Sequence, residues 1–467
     1  MSRRTLMLAL LLGAGSAQGQ AASGVTLQQL IAALPQAPGW RSAELQFRSA
    51  QLALDAARAR AGLGVSVGGD LNRLKAPASD GAWLTSGSVN LQASANLLPW
   101  SSAADAVRQA GRAVERAGLN RLSSQQTLTL NVVQQYLAAR AARQAATLAE
   151  AQQRLAAEQL QVTQQQRAAG LTTQEALLDA RSALEQRQAA LQQAQGSLDL
   201  ALRLLYGTLG LPLPPQPPQL SSGPVPPGAP AALDSLLAGA LRQRPDVQVA
   251  LSSVQDARAA LDSARRDRAV PNVSASVQYG QLGSATSSAT GTVYGGSLNV
   301  KTGVLSGNVT VPFQSVDQPN SLVLGLSGNF AVLDRAADTA IQSAQSSLDS
   351  AELSLQTARQ SAELDVRQQL LALQNALAAL PALQTGLLRA QTALASGQAR
   401  LQAGLDTPLQ LKSLQLNVQQ ARNALEQATG DAYLASLRLS VAVGEFSPAL
   451  ITLPDAPLSE PIPGDQP

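Results

Sequence analysis

Two kinds of periodicity share this chain. Over 64–74 and 86–98 apolar and polar positions alternate. Val65, Val67 and Leu71 fall on one side, then Val89, Leu91, Ala93, Ala95 and Leu97, while Ser88, Asn90, Gln92, Ser94 and Asn96 point the other way. The same texture returns over 272–282, with Val273, Ala275, Val277 and Tyr279, and over 321–333, with Leu322, Leu324, Leu326, Phe330 and Val332. A period of two with one apolar and one polar face predicts strands. Elsewhere the period is helical. Ala103, Val107, Ala110, Val114 and Ala117 step by 4, 3, 4, 3, the seam of a coiled coil. Ser101 to Ala169 holds no proline, and at 1.5 Å per residue it would span roughly 100 Å. Asp334 to Ala403 is a second such stretch, where Pro381 predicts a kink.

These textures come twice in the same order. Leu54, Asp55 and Arg58 return as Leu261, Asp262 and Arg265, 207 positions on. Further along, Asn131–Ala138 returns as Asp365–Ala372 at an offset of 234, which holds as far as Gly210 with Gly444. The chain is therefore a duplicated unit, and 27 additional residues entered the second copy between Arg265 and Asp365. The Ser/Gly/Thr-rich stretch 284–310 carries them and reads as a long polar loop or as an extension of that strand pair. The boundaries are a first repeat at 23–210, a connector at 211–230, a second repeat at 231–446 and a tail at 447–467, expected to be disordered. The connector holds nine of the 25 prolines and is expected to be stiff and extended.

Each repeat also writes the same hinge. Gly170, Leu171 and Thr173 return as Gly404, Leu405 and Thr407. The glycines suit a left-handed helix stop. Thr172 with Glu175 fits a capping box for the returning helix, while Thr407 can cap the second with Pro408 in its first position. Both long helices thus fold back on themselves, giving two antiparallel hairpins with exposed tips.

Composition narrows the chemistry. There is no Cys and no His, which excludes thiolate and imidazole nucleophiles, bases and metal ligands. No spacing suggests paired catalytic carboxylates and no Gly-rich phosphate loop follows a strand, so neither an enzyme nor a cofactor is expected. Arg3, Arg4 and the apolar run Leu6–Ala14 read as a secretory signal over 1–22, too short to span a bilayer. Without those two arginines the chain has 32 basic and 31 acidic residues, a balance that argues against nucleic acid as a partner.

Strands of this length cross an outer-membrane hydrocarbon layer when tilted, but four cannot close a barrel. An open sheet in lipid leaves its edge amides unpaired. Three chains together would supply twelve strands and twelve helical arms. Six of the twelve aromatic residues (Trp83, Trp100, Tyr279, Tyr294, Phe313 and Phe330) fall in the strand regions, which fits interfacial girdles as well as the ordinary strand preference of aromatic residues.

This twice-written order of helix, two strands, long helix, Gly-Leu-x-Thr hinge and returning helix resembles the outer membrane efflux protein family, the TolC-like exit ducts. The resemblance runs from about Val25 to Phe446. It implies an α+β fold in which a homotrimer builds a 12-stranded transmembrane β-barrel continuous with a 12-helix α-helical barrel. It further implies a passive conduit from periplasm to exterior, in a tripartite efflux or type I secretion system. The partners would be a periplasmic adaptor, an inner-membrane transporter and the outer-membrane bilayer. Adaptor docking would fall on Gly170, Leu171, Thr173, Gly404, Leu405 and Thr407. A periplasmic gate would draw on Glu175, Asp179, Arg181, Asp406, Gln410, Lys412 and Ser413. The aspartate rings that make the entrance of the best-known duct cation-selective map onto Gln410 and Ser413, so that acidic ring is absent at these positions. Glu175 also has its capping role, and Asp179 and Arg181 also read as solvated helix positions. A secreted filament or surface-layer protein is the rival reading. The matched hinges in both halves argue against it.

Overall fold

The structure is a computed structural model that describes residues 25–75, 83–215, 218–221, 223–282, 289–313, 319–330, 333–446 and 451. The expected signal at 1–22, Val332 of the last expected strand and most of the tail lie outside the described residues.

The first repeat opens with α1 (Leu27–Ala33), whose Thr26 and Gln29 form a reciprocal capping box, and a 3-10 turn (Leu34–Gln36). It continues with α2 (Pro38–Ala61), β1 (Gly64–Lys75), β2 (Trp83–Asn96), α3 (Ser102–Ala168) and α4 (Gln174–Leu209). The second repeat has α5 (Leu233–Gln243), α6 (Pro245–Ala269), four strands, then α7 (Arg335–Gln402) and α8 (Pro408–Val443). In both repeats the leading helical stretch is divided at a proline. Pro38 and Pro245 open α2 and α6, and the residues before them, Ala37 and Arg244, are extended, because proline excludes its predecessor from the helical region. Helix α7 instead continues through Pro381, its 68 residues forming one element.

The four strands of the second repeat are β3 (Asn272–Leu282), β4 (Ala289–Asn299), β5 (Val304–Pro312) and β6 (Ser321–Asn329). The inserted residues are therefore neither a polar loop nor an extension of a neighbouring hairpin: they build a hairpin of their own. It enters a single antiparallel sheet of order β1-β2-β5-β4-β3-β6. The expectation of four strands per chain is corrected to six. Ser and Thr alternating with Val, Leu and Tyr made 284–310 read as polar, although alternation is what a two-faced strand requires.

The register makes the two faces explicit. One row across the sheet is Val67, Leu91, Val309, Tyr294, Tyr279 and Leu322, and a neighbouring row is Ala95, Leu305, Leu298, Ala275 and Leu326. Rows of the opposite face read Ser94, Ser306, Ser297 and Ser276, then Asn96, Val304, Asn299, Ser274 and Ser327. Hydroxyls pair across it, Ser297 with Ser306 at 2.7 Å and Ser274 with Ser327 at 2.8 Å. Among the described residues nothing covers the apolar face: Leu324 and Leu326 are 75% and 79% exposed.

Beneath the sheet the helices stand side by side in the order α2, α3, α6, α7, and further down α4, α3, α8, α7. Helices α3 and α7 run through both levels. The other two lines are each made of two helices end to end, and the joints hold left-handed glycines. Gly210 (φ 69°) abuts Pro38, and Gly444 (φ 85°) abuts the backbone of Gln243 and Arg244. The core lies at this level. Leu27, Leu30, Val132, Val133, Tyr136, Leu205, Leu209 and Leu220 form one cluster, and Ala240, Val366, Leu370, Leu439 and Val443 the other. Val132, Tyr136, Leu205 and Leu209 correspond to Val366, Leu370, Leu439 and Val443 at the 234-residue offset, so each repeat carries its own copy of the same packing. Each such aliphatic side chain contributes about 1.5–3 kcal/mol by leaving water. The proline-rich connector lies against this core, with Leu220 fully buried and its carbonyl accepting from Arg140 at 2.9 Å.

Candidate functional site

Two places in the fold are built for something outside the chain: the helical tips and the unfinished sides.

The tips are close copies. At the first, Gly170 has φ +74°, its N–H donates to the Arg167 carbonyl at 3.0 Å, and the Leu171 N–H reaches back to the Gln166 carbonyl at 2.8 Å. At the second, Gly404 has φ +74°, with matching bonds from Gly404 to Leu401 at 3.0 Å and from Leu405 to Arg400 at 2.8 Å. Both are Schellman stops. Leu171 and Leu405 are exposed at the ends of the molecule. The returning helices start on Thr173 and Thr407, whose hydroxyl oxygens accept from the N–H of Ala176 at 3.2 Å and of Gln410 at 3.3 Å. The first cap is therefore Thr173, one residue later than the expected Thr172, and Glu175 makes no capping box. It sits exposed in the first turn, where its charge favours the helix N-terminus. At the second tip the box is complete, the Gln410 side chain accepting from the Thr407 N–H at 2.7 Å.

The charged positions separate into two groups. Asp179 and Arg181 lie exposed on α4, and Arg181 pairs with Glu185 on its own helix at 3.3 Å, not with Asp179. Asp406, only 14% exposed, pairs with Arg400 at 2.9 Å across the second turn. Of these positions only Lys412 reaches the other hairpin, its Nζ donating to both carboxylate oxygens of Glu158 on α3 at 2.6 and 2.7 Å. Gln410 is engaged in its cap, and the Ser413 hydroxyl donates to the Gln410 carbonyl at 2.7 Å.

Glu158 escaped the sequence reading. At the 234-residue offset Glu158 aligns with Thr392, and Lys412 with Leu178. Arg181 and Glu185, which align with Gln415 and Gln419, lack charged counterparts as well and yet pair within one helix, so the offset does not single out this contact.

Under the sheet, ion pairs fix the helices to one another. Arg112 and Arg116 both hold Asp256, tying α3 to α6, while Arg121 reaches Glu44 at 3.1 Å and lies 4.3 Å over the Phe47 ring, tying α3 to α2. The turn between β4 and β5 is anchored at the same level. The Trp100 indole donates to the Val300 carbonyl at 3.1 Å and Lys301 to the Asp267 carbonyl at 2.9 Å. Among the described residues no group of His, Cys, Asp or Glu is placed to hold a metal ion.

The sides are the second feature. Strands β1 and β6 end the sheet, each with one unpaired edge. Below them, α2 and α7 end the helical row. Those outer helices expose leucines in stripes, Leu45 and Leu52 on α2 and Leu353, Leu364 and Leu371 on α7. Spacings of seven and eleven keep each stripe on one helix face.

A two-faced antiparallel sheet carried on paired helical hairpins defines a membrane channel component rather than an enzyme. The sequence profile of the outer membrane efflux protein family matches residues 30–211 and 236–445, and the chain belongs to that family. Its members are transport conduits of the outer membrane that extend into the periplasm. No curated protein matches the sequence. Among solved structures, the fold is similar to the outer membrane protein VceC from Vibrio cholerae (15% identity, TM-score 0.65, covering 90% of this chain and 96% of that one). It is similar too to the CmeC outer membrane channel of Campylobacter jejuni (15%, 0.66, 95% and 93%). The open state of the MtrE outer membrane channel of Neisseria gonorrhoeae is a third (19%, 0.65, 90% and 89%).

Proposed function

We propose that three copies of this chain close side by side into one exit duct, a passive conduit from periplasm to exterior that serves a tripartite efflux or type I secretion system. One observation carries the reading: sheet and helical row are unfinished on the same two sides. Strand β1 stands over α2 at one side and β6 over α7 at the other, so a single rotation would pair both layers of neighbouring copies at once. Such a head-to-tail contact closes into a ring when its rotation returns to the first copy, here after three, and otherwise grows as an open filament. Closure also removes the edge that lipid forbids, and it covers the leucine stripes of α2 and α7.

In this duct the tips face the periplasm. Gly170, Leu171, Thr173, Gly404, Leu405 and Thr407 form the surface for a periplasmic adaptor, with the exposed leucines as apolar knobs, and an inner-membrane transporter supplies the energy. The gate rests on Lys412 with Glu158, assisted by Asp406. Gln410 and Ser413 hold the local turn, and Glu175, Asp179 and Arg181 stand outside the contact. No covalent chemistry is involved.

The test is the mass of the particle extracted from outer membranes in detergent. Three chains are expected, and a detergent-independent polymer of open-ended size would end the reading in favour of a filament.

A further inference from the structure

The inserted hairpin changes the wall itself. We propose that the barrel of this duct has eighteen strands, six from each of three copies, and that its outer mouth is too wide to set the size limit for cargo. This rests on the trimeric duct proposed above and goes beyond it in strand number and bore.

Four observations carry it. First, β4 and β5 do not hang from the sheet. They lie inside it, between β2 and β3, paired on both sides, with continuous register to β2 and between themselves and one register shift against β3 at Gly280/Leu282. Second, the hairpin continues both faces. Tyr294, Gly296, Leu298, Leu305, Val309 and Val311 extend the apolar face, and Gly295, Ser297, Asn299, Ser306, Asn308 and Thr310 the polar one, where Val293 and Val304 are the apolar exceptions. A plug or an external flap has no reason to keep that parity over two strands. Third, the hairpin spans the height of the wall. Its turn is tied to the helical end through Trp100 and Lys301, and Phe313 donates its N–H to the Gly87 carbonyl at the far end at 2.8 Å. Fourth, two added strands preserve direction. Strands β1 and β6 run oppositely, so β6 of one copy meets β1 of the next antiparallel and alternation survives all the way round.

The geometry of the helical wall points the same way. Twelve helices spaced about 9–10 Å apart have a perimeter of roughly 115 Å. Eighteen strands spaced about 4.8 Å apart and tilted about 40° give roughly 113 Å, a diameter near 36 Å. Twelve strands give roughly 75 Å and about 24 Å. Eighteen strands continue the helical wall without narrowing. The constriction then falls to the helical tips, and the outer barrel joins the size class of porins, whose 16–18 strands enclose an aqueous channel.

The absence of native Cys makes cross-linking a clean test. Ser94 and Ser306 are register partners across β2 and β5, close enough for a disulfide, and both lie on the polar face. Ser276 lies in the same row but three strand spacings from Ser94, roughly 14 Å, beyond disulfide reach. Full-length Ser94→Cys/Ser306→Cys and Ser94→Cys/Ser276→Cys proteins would be oxidised in isolated outer membranes, extracted, weighed as native particles, and assayed for free thiols and linked peptides. The proposal expects a three-chain particle in which the first pair falls from two free thiols per chain to none and the second keeps both. A three-chain particle that links 94 with 276 and leaves 306 free would overturn the eighteen-stranded wall while leaving the duct intact. A two-chain particle that links 94 with 306 would mean a twelve-stranded wall and overturn it as well. An open-ended polymer outside the membrane would overturn the wall and the duct together.

Discussion

The Lys412–Glu158 pair gives the sharpest prediction about the gate. It is the contact near the tips that crosses from the first hairpin to the second, and its side chains are 49% and 40% exposed. A half-exposed pair of this kind contributes about 0.2–1 kcal/mol. In the proposed trimer three such pairs would act on one bore, so the closed state would gain about 0.6–3 kcal/mol, a factor of roughly 3 to 150 in the ratio of closed to open channels. Lys412→Glu removes that term and places a second carboxylate against Glu158. The mean open fraction of the purified channel in planar bilayers should therefore rise by at least the lower bound, and the rise should shrink as salt screens the repulsion. The charge swap Glu158→Lys/Lys412→Glu should return conductance toward that of the parent, because the double-mutant cycle isolates the pair itself. A swap as leaky as Lys412→Glu alone would remove this pair from the gate, and so would a single variant that leaks no more than the parent.

Two predictions concern stability. Gly404→Ala should cost about 1–2 kcal/mol, the left-handed backbone penalty alone, since an added Cβ meets nothing within 4 Å. Gly444→Ala should cost more, because its Cβ would lie 2.9 Å from the Gln243 backbone. Paired thermal melts in one detergent would show the order, and equal shifts would contradict it. Burial raises the pKa of Tyr433 above 10.0, and its hydroxyl oxygen has no hydrogen-bond partner among the described residues. With the folded pKa raised, this tyrosine's stabilising contribution is complete below pH 10 and declines as pH rises from there through the folded value, since only the unfolded chain ionises freely. Tyr433→Phe should therefore leave the melting temperature unchanged or raised at pH 7 and weaken the loss of stability above pH 10; an unaltered alkaline profile would refute the assignment.

Much of this architecture is legible in one sequence because the chain states it twice. The 234-residue offset brings Gly170 with Gly404 and Tyr136 with Leu370 into correspondence, and a feature written in both copies is structural before it is anything else. Local rules then reach far. Left-handed glycines, threonine caps and coiled-coil spacing are decided within a few residues, so hinge and hairpin follow from short windows. What the sequence hides is whatever depends on partners chosen across the fold. The cap is no such case: Thr173, not Thr172, caps three residues past Gly170, as Thr407 does past Gly404, a correspondence the offset already shows. Arg181 found Glu185 within its own helix, while Lys412 found Glu158 on another, and nothing in the spacing of either residue distinguishes the two outcomes.

The insertion shows how a duplicated fold can diverge without losing closure. One added strand would reverse the direction of everything after it, delivering α7 to the wrong side of the membrane and placing two parallel edges against each other. Two strands restore the direction, and a turn at the helical end allows the chain to descend and return before β6 begins. The hairpin enters between β2 and β3, where the two repeats meet, and not at β1 or β6. The edges that would face neighbouring copies in the proposed trimer are therefore the same strands that a chain without the insertion would present. The seam is preserved, and the change is absorbed in the interior of the sheet, where each new strand gains a paired neighbour on both sides. For this reason the width of the wall can vary while the rule for joining copies stays fixed.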